Sequence, residues 1–292
     1  MEVEHEEASL GLSRGLTTYK LLASDIDGTL LRRDGTIHPD DAAAIRELQA
    51  SGVPITIITG RLYSGSRAIA REVGIAGPIA CVDGSHIVDV ASDAARFYRA
   101  LTGADAAALR GVLERHESAS FLFAHDSIVH DAAGEAFAPY VRTWSTKIEV
   151  VERVITHSHW DHELGLMAVV SIGLEEKILA AVAELREQLA EAAFVASFPI
   201  TRLPGVHAMI VRAKGPTKGT AVEWLAAHHG CTAAEVVVVG DWLNDIPMFD
   251  TAGRSFAMSQ APAEVKSRAS DHLDADGHLG GGVAEAIRKV WG

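Results

Sequence analysis

Positive charge is in short supply along this chain. Lys and Arg number 26 against 39 Asp and Glu, a formal net charge of −13 at pH 7. A surface of that sign repels phosphodiester backbones and anionic lipid headgroups, so no nucleic acid and no membrane is expected as partner. Cysteine is scarcer still. Cys81 and Cys231 stand alone in unrelated contexts, which excludes a disulfide framework and a zinc ribbon and makes a reducing cytoplasm the default compartment. Long apolar runs are also missing. The longest, roughly residues 164–174, falls short of the ~20 residues that a membrane-crossing helix needs. The opening residues, with Glu2, Glu4, Glu6 and Glu7, lack the basic-then-apolar order of a secretory leader. The expectation is a cytoplasmic protein whose residues 1–17 form a disordered tail, because regular patterning begins only near Tyr19.

What is present is a rhythm. Hydrophobic residues make up 48% of the 292, enough for one large domain or two modest ones. Lys20–Ser24 reads as a strand, Pro39–Ser51 as a helix with Ala44, Ile45 and Leu48 on one face, and Val53–Ile58 as a β-branched strand. A helix over Ser64–Val73 and a strand over Pro78–Val82 follow. The same alternation returns in the helix Lys218–His229, the buried strand Glu235–Val239 and a short helix from Asp245 to Asp250. It continues through Phe256–Met258, Ala263–Ala269 and Val283–Trp291. Strand–helix–strand alternation predicts a parallel sheet clad in helices, an α/β core of residues 18–86 and 201–292. Over 87–200 the pattern changes. Strand-like Phe121–Ala124 and Leu166–Ser171 alternate with the helices Ala104–His116 and Leu174–Ala190, which predicts an inserted α+β cap domain.

Three core strands run into chemically pointed residues: Asp25-Ile26-Asp27-Gly28-Thr29-Leu30, Thr59-Gly60-Arg61 and Gly240-Asp241-Trp242-Leu243-Asn244-Asp245. Sites in open α/β sheets form at the carboxyl ends of strands, so one pocket can gather all three. Asp25, Asp27 and Asp241 would repel one another without a cation among them, and oxygen donors select a hard ion, with magnesium the natural occupant. Asp25 is suited to attack phosphorus, and Asp27 to protonate the departing oxygen and later activate water. Gly28 lets backbone amides approach a phosphoryl group. Thr59 offers it a hydroxyl and Lys218, at a helix start, a positive charge. Each piece alone has an ordinary reading as a turn, a strand end or a solvated lysine. Their order and shared placement carry the inference.

In that order the motifs resemble the haloacid dehalogenase-like superfamily, and within it the Cof-type phosphatases with a large α+β (type IIB) cap after the second motif. Asp25–Leu30 resembles the first motif, Ile58-Thr59-Gly60-Arg61 the second, Lys218-Gly219 the third, and Gly240–Met248 the fourth. Ala252-Gly253, Ala257-Met258 and Glu264-Val265-Lys266 resemble the family's ending. The resemblance implies a Rossmann-like core and a magnesium-dependent phosphatase acting through an aspartyl phosphate on a small phosphorylated metabolite, a sugar phosphate foremost. It makes Asp25 nucleophile and metal ligand, Asp27 general acid/base and ligand through its carbonyl, and Asp241 the third ligand. Asp245 would steady the metal shell, and Gly28, Thr59, Gly60, Lys218 and Asn244 would bind phosphate. Related ATPases carry Thr where Asp27 stands, so the resemblance implies a phosphatase or, as the alternative, a phosphomutase.

Two departures and one competing motif remain. Asp83-Gly84 stands where relatives often have Asn-Gly. Trp242 and Leu243 are bulkier than the residues usual there, and are expected to pack under the cap rather than to narrow the pocket mouth. Within the cap, His157, His159, Asp161 and His162 fit the H-x-H-x-D-H zinc signature of metallo-β-lactamase-like hydrolases, imidazole and carboxylate being apt zinc ligands. That implies a distant alternative, a zinc-dependent hydrolase. The glycine pair usual after the last histidine is missing, since Glu163-Leu164-Gly165 follows, and a solvated polar turn is the favoured expectation for this segment.

Overall fold

The structure is a computed structural model and describes residues 18–200 and 202–292; the expected tail over 1–17 lies outside these residues. Five parallel strands form the central sheet in the order Asp271–His272, Arg254–Ala257, Val236–Gly240, Leu21–Ser24, Ile55–Ile57. The two middle strands are apolar on both faces, as a doubly covered parallel sheet requires. Leu22, Val237 and Val239 face the helices Pro39–Ala50 and Gly282–Trp291, while Leu21, Ala23, Val236 and Val238 face Lys218–His228, Ile246–Thr251 and Ala263–Arg268. The first of these helices opens on a proline and is joined to the last one by Asp41. That buried carboxylate accepts from the N–H groups of Gly281 (2.8 Å) and Ala284 (2.7 Å) at the start of the closing helix.

An Ile58–Ala80 bridge adds a three-stranded antiparallel sheet, Pro78–Cys81, His86–Asp89 and Ala94–Tyr98, beside the parallel one. The second large sheet has six strands in the order Ala193–Pro199, Val206–Ala213, Ala168–Leu174, Ala119–Ala124, Ser127–His130, Ile148–Val150, all antiparallel except the last pair. Helices Gly103–His116 and Glu175–Gln188 cover its outer face through Leu109, Val112, Ile178, Val182 and Leu185. Its inner face, with Phe121, Phe123, Val170, Ile172 and Ala208, joins the same apolar cluster as Leu62, Tyr63 and Val82 of the core.

The strands and helices expected from periodicity occur within two residues of their predicted ends, except that the strand expected over Leu166–Ser171 runs three residues further, to Leu174. Val206–Ala213 pairs on both sides inside the six-stranded sheet, so that sheet continues past the expected junction at residue 200. His86–Asp89 and Ala94–Tyr98 pair instead toward the core. We propose a division that follows the sheets, with residues 99–213 as the cap. Among the described residues no helix is long and apolar enough to cross a membrane.

Candidate active site at the carboxyl edge of the parallel sheet

Asp25 is the residue after the first strand. Its N–H donates to Val239 O at 3.0 Å, which prolongs the strand pairing by one step and fixes the side chain at the sheet edge. Asp241 follows the neighbouring strand at the same edge, and Thr59 follows the strand on the other side, its N–H on Ala80 O at 2.9 Å. Lys218 opens the helix Lys218–His228, whose start is fixed by a reciprocal capping pair between Thr217 and Thr220. The Lys218 ammonium is 1% exposed and donates to Asp25 Oδ1 at 2.8 Å and to Asp245 Oδ1 at 2.5 Å. The other Asp245 oxygen accepts from the backbone N–H groups of Asp241 (2.7 Å) and Trp242 (2.9 Å). One buried carboxylate thus shapes the loop that carries Asp241 and also holds the lysine.

The site is poor in positive charge. Burial drives the Asp25 carboxyl well above the usual carboxylate range against the pull of Lys218, and Asp245, Asp241 and Asp27 push it further the same way. Burial, then the charge of Asp245, raises Asp241 to about 7, although Gln260 and Thr29 donate to it. Burial alone would lower Lys218, but the carboxylates of Asp245, Asp25 and Asp83 hold its ammonium well above the ordinary value. A cation would relieve this imbalance. Among the described residues Asp25, Asp241 and Asp245 are the one group of three whose ligand atoms lie within 4.8 Å of one another. Both Asp245 oxygens are tied at 2.5–2.9 Å to Lys218 and the loop, whereas Asp25 Oδ2 has no such partner and Asp241 accepts only at 3.2 and 3.4 Å, so Asp25 and Asp241 are the carboxylates better placed to ligate. Hard oxygen donors of this kind fit a divalent ion such as magnesium. Gly28 belongs to the same cradle: its φ is +75°, and an added Cβ would press into the Asp241 carboxylate.

The Asp27 side chain lies outside that group. It is gripped by the Arg61 fork, Nε to Oδ2 at 2.7 Å and Nη2 to Oδ1 at 2.5 Å, while Arg61 Nη1 donates to Gly65 O at 3.2 Å. Thr59 is fully buried, its hydroxyl accepting from the Arg61 N–H at 3.2 Å. Asn244 Nδ2 donates to Asp83 Oδ1 at 2.9 Å, with Gly60 beside both groups. The predicted aspartates, Lys218, Gly28, Thr59, Gly60 and Asn244 therefore converge on one sheet edge.

Other expectations fare differently. Trp242 and Leu243 do not pack under the cap; they are 53% and 43% exposed, because only the backbone of that loop is held by Asp245. The residues of the H-x-H-x-D-H motif do not form a ligand set. His157 Nδ1 accepts from the His159 N–H and His162 Nδ1 from the Leu164 N–H, so both rings serve as local turn caps. Asp161 is exposed and faces Arg110 at 3.8 Å. His125, from the turn between two cap strands, packs against His159 and His162 instead.

Contacts missed from the sequence include the Arg61 fork on Asp27 and the approach of Arg212 Nε to Asp83 Oδ2 at 3.8 Å. Gln260 supplies another, its Nε2 bridging Gly28 O (2.7 Å) and Asp241 Oδ2 (3.2 Å). Arg61 was within reach, because it sits inside the second motif. Gln260 has no sequence signal.

The model of the haloacid dehalogenase-like hydrolase family matches residues 22–287. The chain belongs to that family. An HMP-PP phosphatase of Serratia proteamaculans is 27% identical over 264 residues, 85% of this chain and 87% of the relative. One of Yersinia pseudotuberculosis is 28% identical over 258 residues, 85% of this chain and 86% of its own. Among solved structures, a haloacid dehalogenase-like hydrolase of Bacteroides thetaiotaomicron superposes with a TM-score of 0.79 at 22% identity, over 94% of this chain and 100% of its own. A subclass IIB sugar phosphatase of the superfamily gives 0.75 at 20% identity, over 92% and 98%. These likenesses establish for this hydrolase the fold that the four motifs imply: a parallel-sheet core whose carboxyl edge faces a sheet-bearing cap.

Proposed function

We propose that this hydrolase is a cytoplasmic, magnesium-dependent phosphatase that takes phosphate from a small phosphorylated metabolite, a sugar phosphate by class, through an aspartyl phosphate on Asp25. The observation that carries the proposal is the buried Asp25–Lys218–Asp245 array with Asp241 beside it. A buried carboxylate is there fixed in place beside a second one whose ligand atoms lie close enough to share a cation. The named activities of the relatives, HMP-PP phosphatase and sugar phosphatase, support a phosphorylated small molecule as substrate.

Lys218 fixes Asp25 through Oδ1. An oxygen of Asp25 attacks phosphorus as the bond to the leaving oxygen breaks, and Asp27, once released by Arg61, gives that oxygen its proton. Asp27 then takes a proton from water, which attacks the same phosphorus, breaks the bond to Asp25 and frees phosphate. Asn244, Thr59 and Lys218 orient the phosphoryl oxygens, and the cap keeps bulk water from the acyl phosphate. Magnesium, held by Asp25, Asp241 and the Asp27 carbonyl, would supply the positive charge that lets a phosphate dianion meet a carboxylate.

Hydrolysis of a panel of phosphorylated metabolites tests this. Free phosphate should appear without any bisphosphate activator, which a phosphomutase would need, and chelation should stop it. Asp25→Asn should cut turnover by more than about a thousandfold, some 4 kcal/mol of barrier, with the fold intact. Turnover by the Asp25→Asn variant within about tenfold of wild type would refute the covalent route.

A further inference from the structure

A carboxylate beside a phosphate site is an anomaly, since it repels the ligand, and Asp83 is such a carboxylate. It is 7% exposed, and both it and the β-branched Val82 before it hold left-handed backbone, φ +52° and +49°. Hydrogen bonds keep the turn there: Asp83 N–H to Thr59 O and Val82 N–H to Arg61 O, each 3.0 Å. Gly84 closes it, since a Cβ at that position would lie 2.7 Å from Thr217 O, one residue before Lys218. The strained turn is therefore wedged between the second motif and the start of the Lys218 helix, where it points an acid at Asn244.

Only one orientation of the Asn244 amide satisfies that acid. A carboxylate accepts and cannot donate, so Nδ2 must face Asp83 Oδ1, at 2.9 Å. On its other side Asp83 meets the cap. Arg212 lies near the end of the cap strand Val206–Ala213, 4% exposed, with its guanidinium over the Phe194 ring at 4.4 Å and one arm donating to Pro216 O. Its Nε is 3.8 Å from Asp83 Oδ2 and has no hydrogen-bond partner among the described residues. A buried N–H left unmatched less than an ångström beyond bonding range marks a contact set to tighten.

We infer that Asp83 is a positioning residue that fixes the Asn244 amide for the phosphoryl group, and that Arg212 ties this fixing to the seating of the cap. The inference rests on the phosphatase reading above. It accounts for Asp83 without any titration, and for the two left-handed residues that put it there.

A double-mutant cycle on the full chain, with magnesium and p-nitrophenyl phosphate as probe, tests it. Asp83→Ala and Asn244→Ala should each lower kcat/KM by about tenfold, the scale of one charge-assisted hydrogen bond. The double variant should stay within about threefold of Asn244→Ala, because Asp83 acts through Asn244. Asp83→Asn, which keeps an acceptor for Asn244, should recover most of the loss. Arg212→Met should cost about threefold alone and nothing further in the Asn244→Ala background. Should Asp83→Ala not fold, the Arg212 and Asn244 pair decides by the same non-additivity. Additive losses, or Asp83→Ala within about twofold of wild type, overturn the inference while leaving the phosphatase reading in place. A wild-type protein that releases no phosphate from the probe or from any phosphorylated metabolite overturns both.

Discussion

Replacing Lys218 with Met removes the ammonium bonded to both Asp25 and Asp245 while keeping most of the buried stem. Both carboxylates are nearly or fully buried, with side chains 7% and 0% exposed, so water cannot take over the lysine's part. Removing one partner of a buried pair costs about 3–5 kcal/mol, a large share of the ~5–15 kcal/mol that holds a domain folded. For a chain of this size the melting temperature should drop by on the order of 10 °C. The assay is thermal unfolding in chelator, followed by circular dichroism, with phosphatase turnover in parallel. Turnover should be lost, because Asp25 is no longer held. Adding Asp25→Asn to Lys218→Met should restore part of the stability, since it deletes one stranded charge. A single-variant loss below about 1 kcal/mol, or a double variant less stable than the single, would refute the buried ion-pair argument.

Three further outcomes are expected. Asp241 has a folded-state pKa of about 7, above its ordinary 3.8, so the folded metal-free protein binds the proton more tightly than the unfolded chain and this carboxylate makes stability fall as pH rises from about 4 through 7. Melting of chelated wild type minus that of chelated Asp241→Asn should fall from about pH 4 to about pH 7 and level off above, a trend that saturating magnesium suppresses; no such trend in chelator would refute it. Replacing His157, His159 and His162 together with Ala should leave turnover within about tenfold, roughly 1.4 kcal/mol of barrier, whereas Asp241→Ala should cost several powers of ten; the reverse pattern in the same phosphate-release assay would move the site to the cap. Gly28→Ala should cost about 1–2 kcal/mol from left-handed strain alone and raise the magnesium concentration for half-maximal activity, because its Cβ meets Asp241; an unchanged magnesium requirement would count against Asp241 as ligand.

The placement of the aspartates was legible because strand ends can be read from apolar runs, and Asp25, Thr59 and Asp241 each follow one directly. The contacts that surround them were not. Arg61 with Asp27, Gln260 with Gly28 and Asn244 with Asp83 are contacts between segments 34, 232 and 161 positions apart, which no local periodicity encodes. The division proposed above differs from the expected one for a related reason. Val206–Ala213 reads like the start of the returning core, and only its pairing to Ala193–Pro199 and Ala168–Leu174 places it in the six-stranded sheet. Spacing along the chain says nothing of ring direction, and two rings of the histidine motif fold back onto their own turns, in keeping with the polar turn favoured for this segment.

The apolar cluster shared between the inner face of the cap sheet and the core has a consequence for how such an insert can be exchanged. Phe121, Phe123, Val170 and Ile172 are buried in the same cluster as Leu62, Tyr63 and Val82, so the cap is no appendage on two tethers. Excising it would leave a wet hydrocarbon face on the core, and grafting on another would require a matching sole. Recombination at the two crossings alone would therefore give an insoluble chimera. The cap and the residues beneath it have to be inherited as one piece.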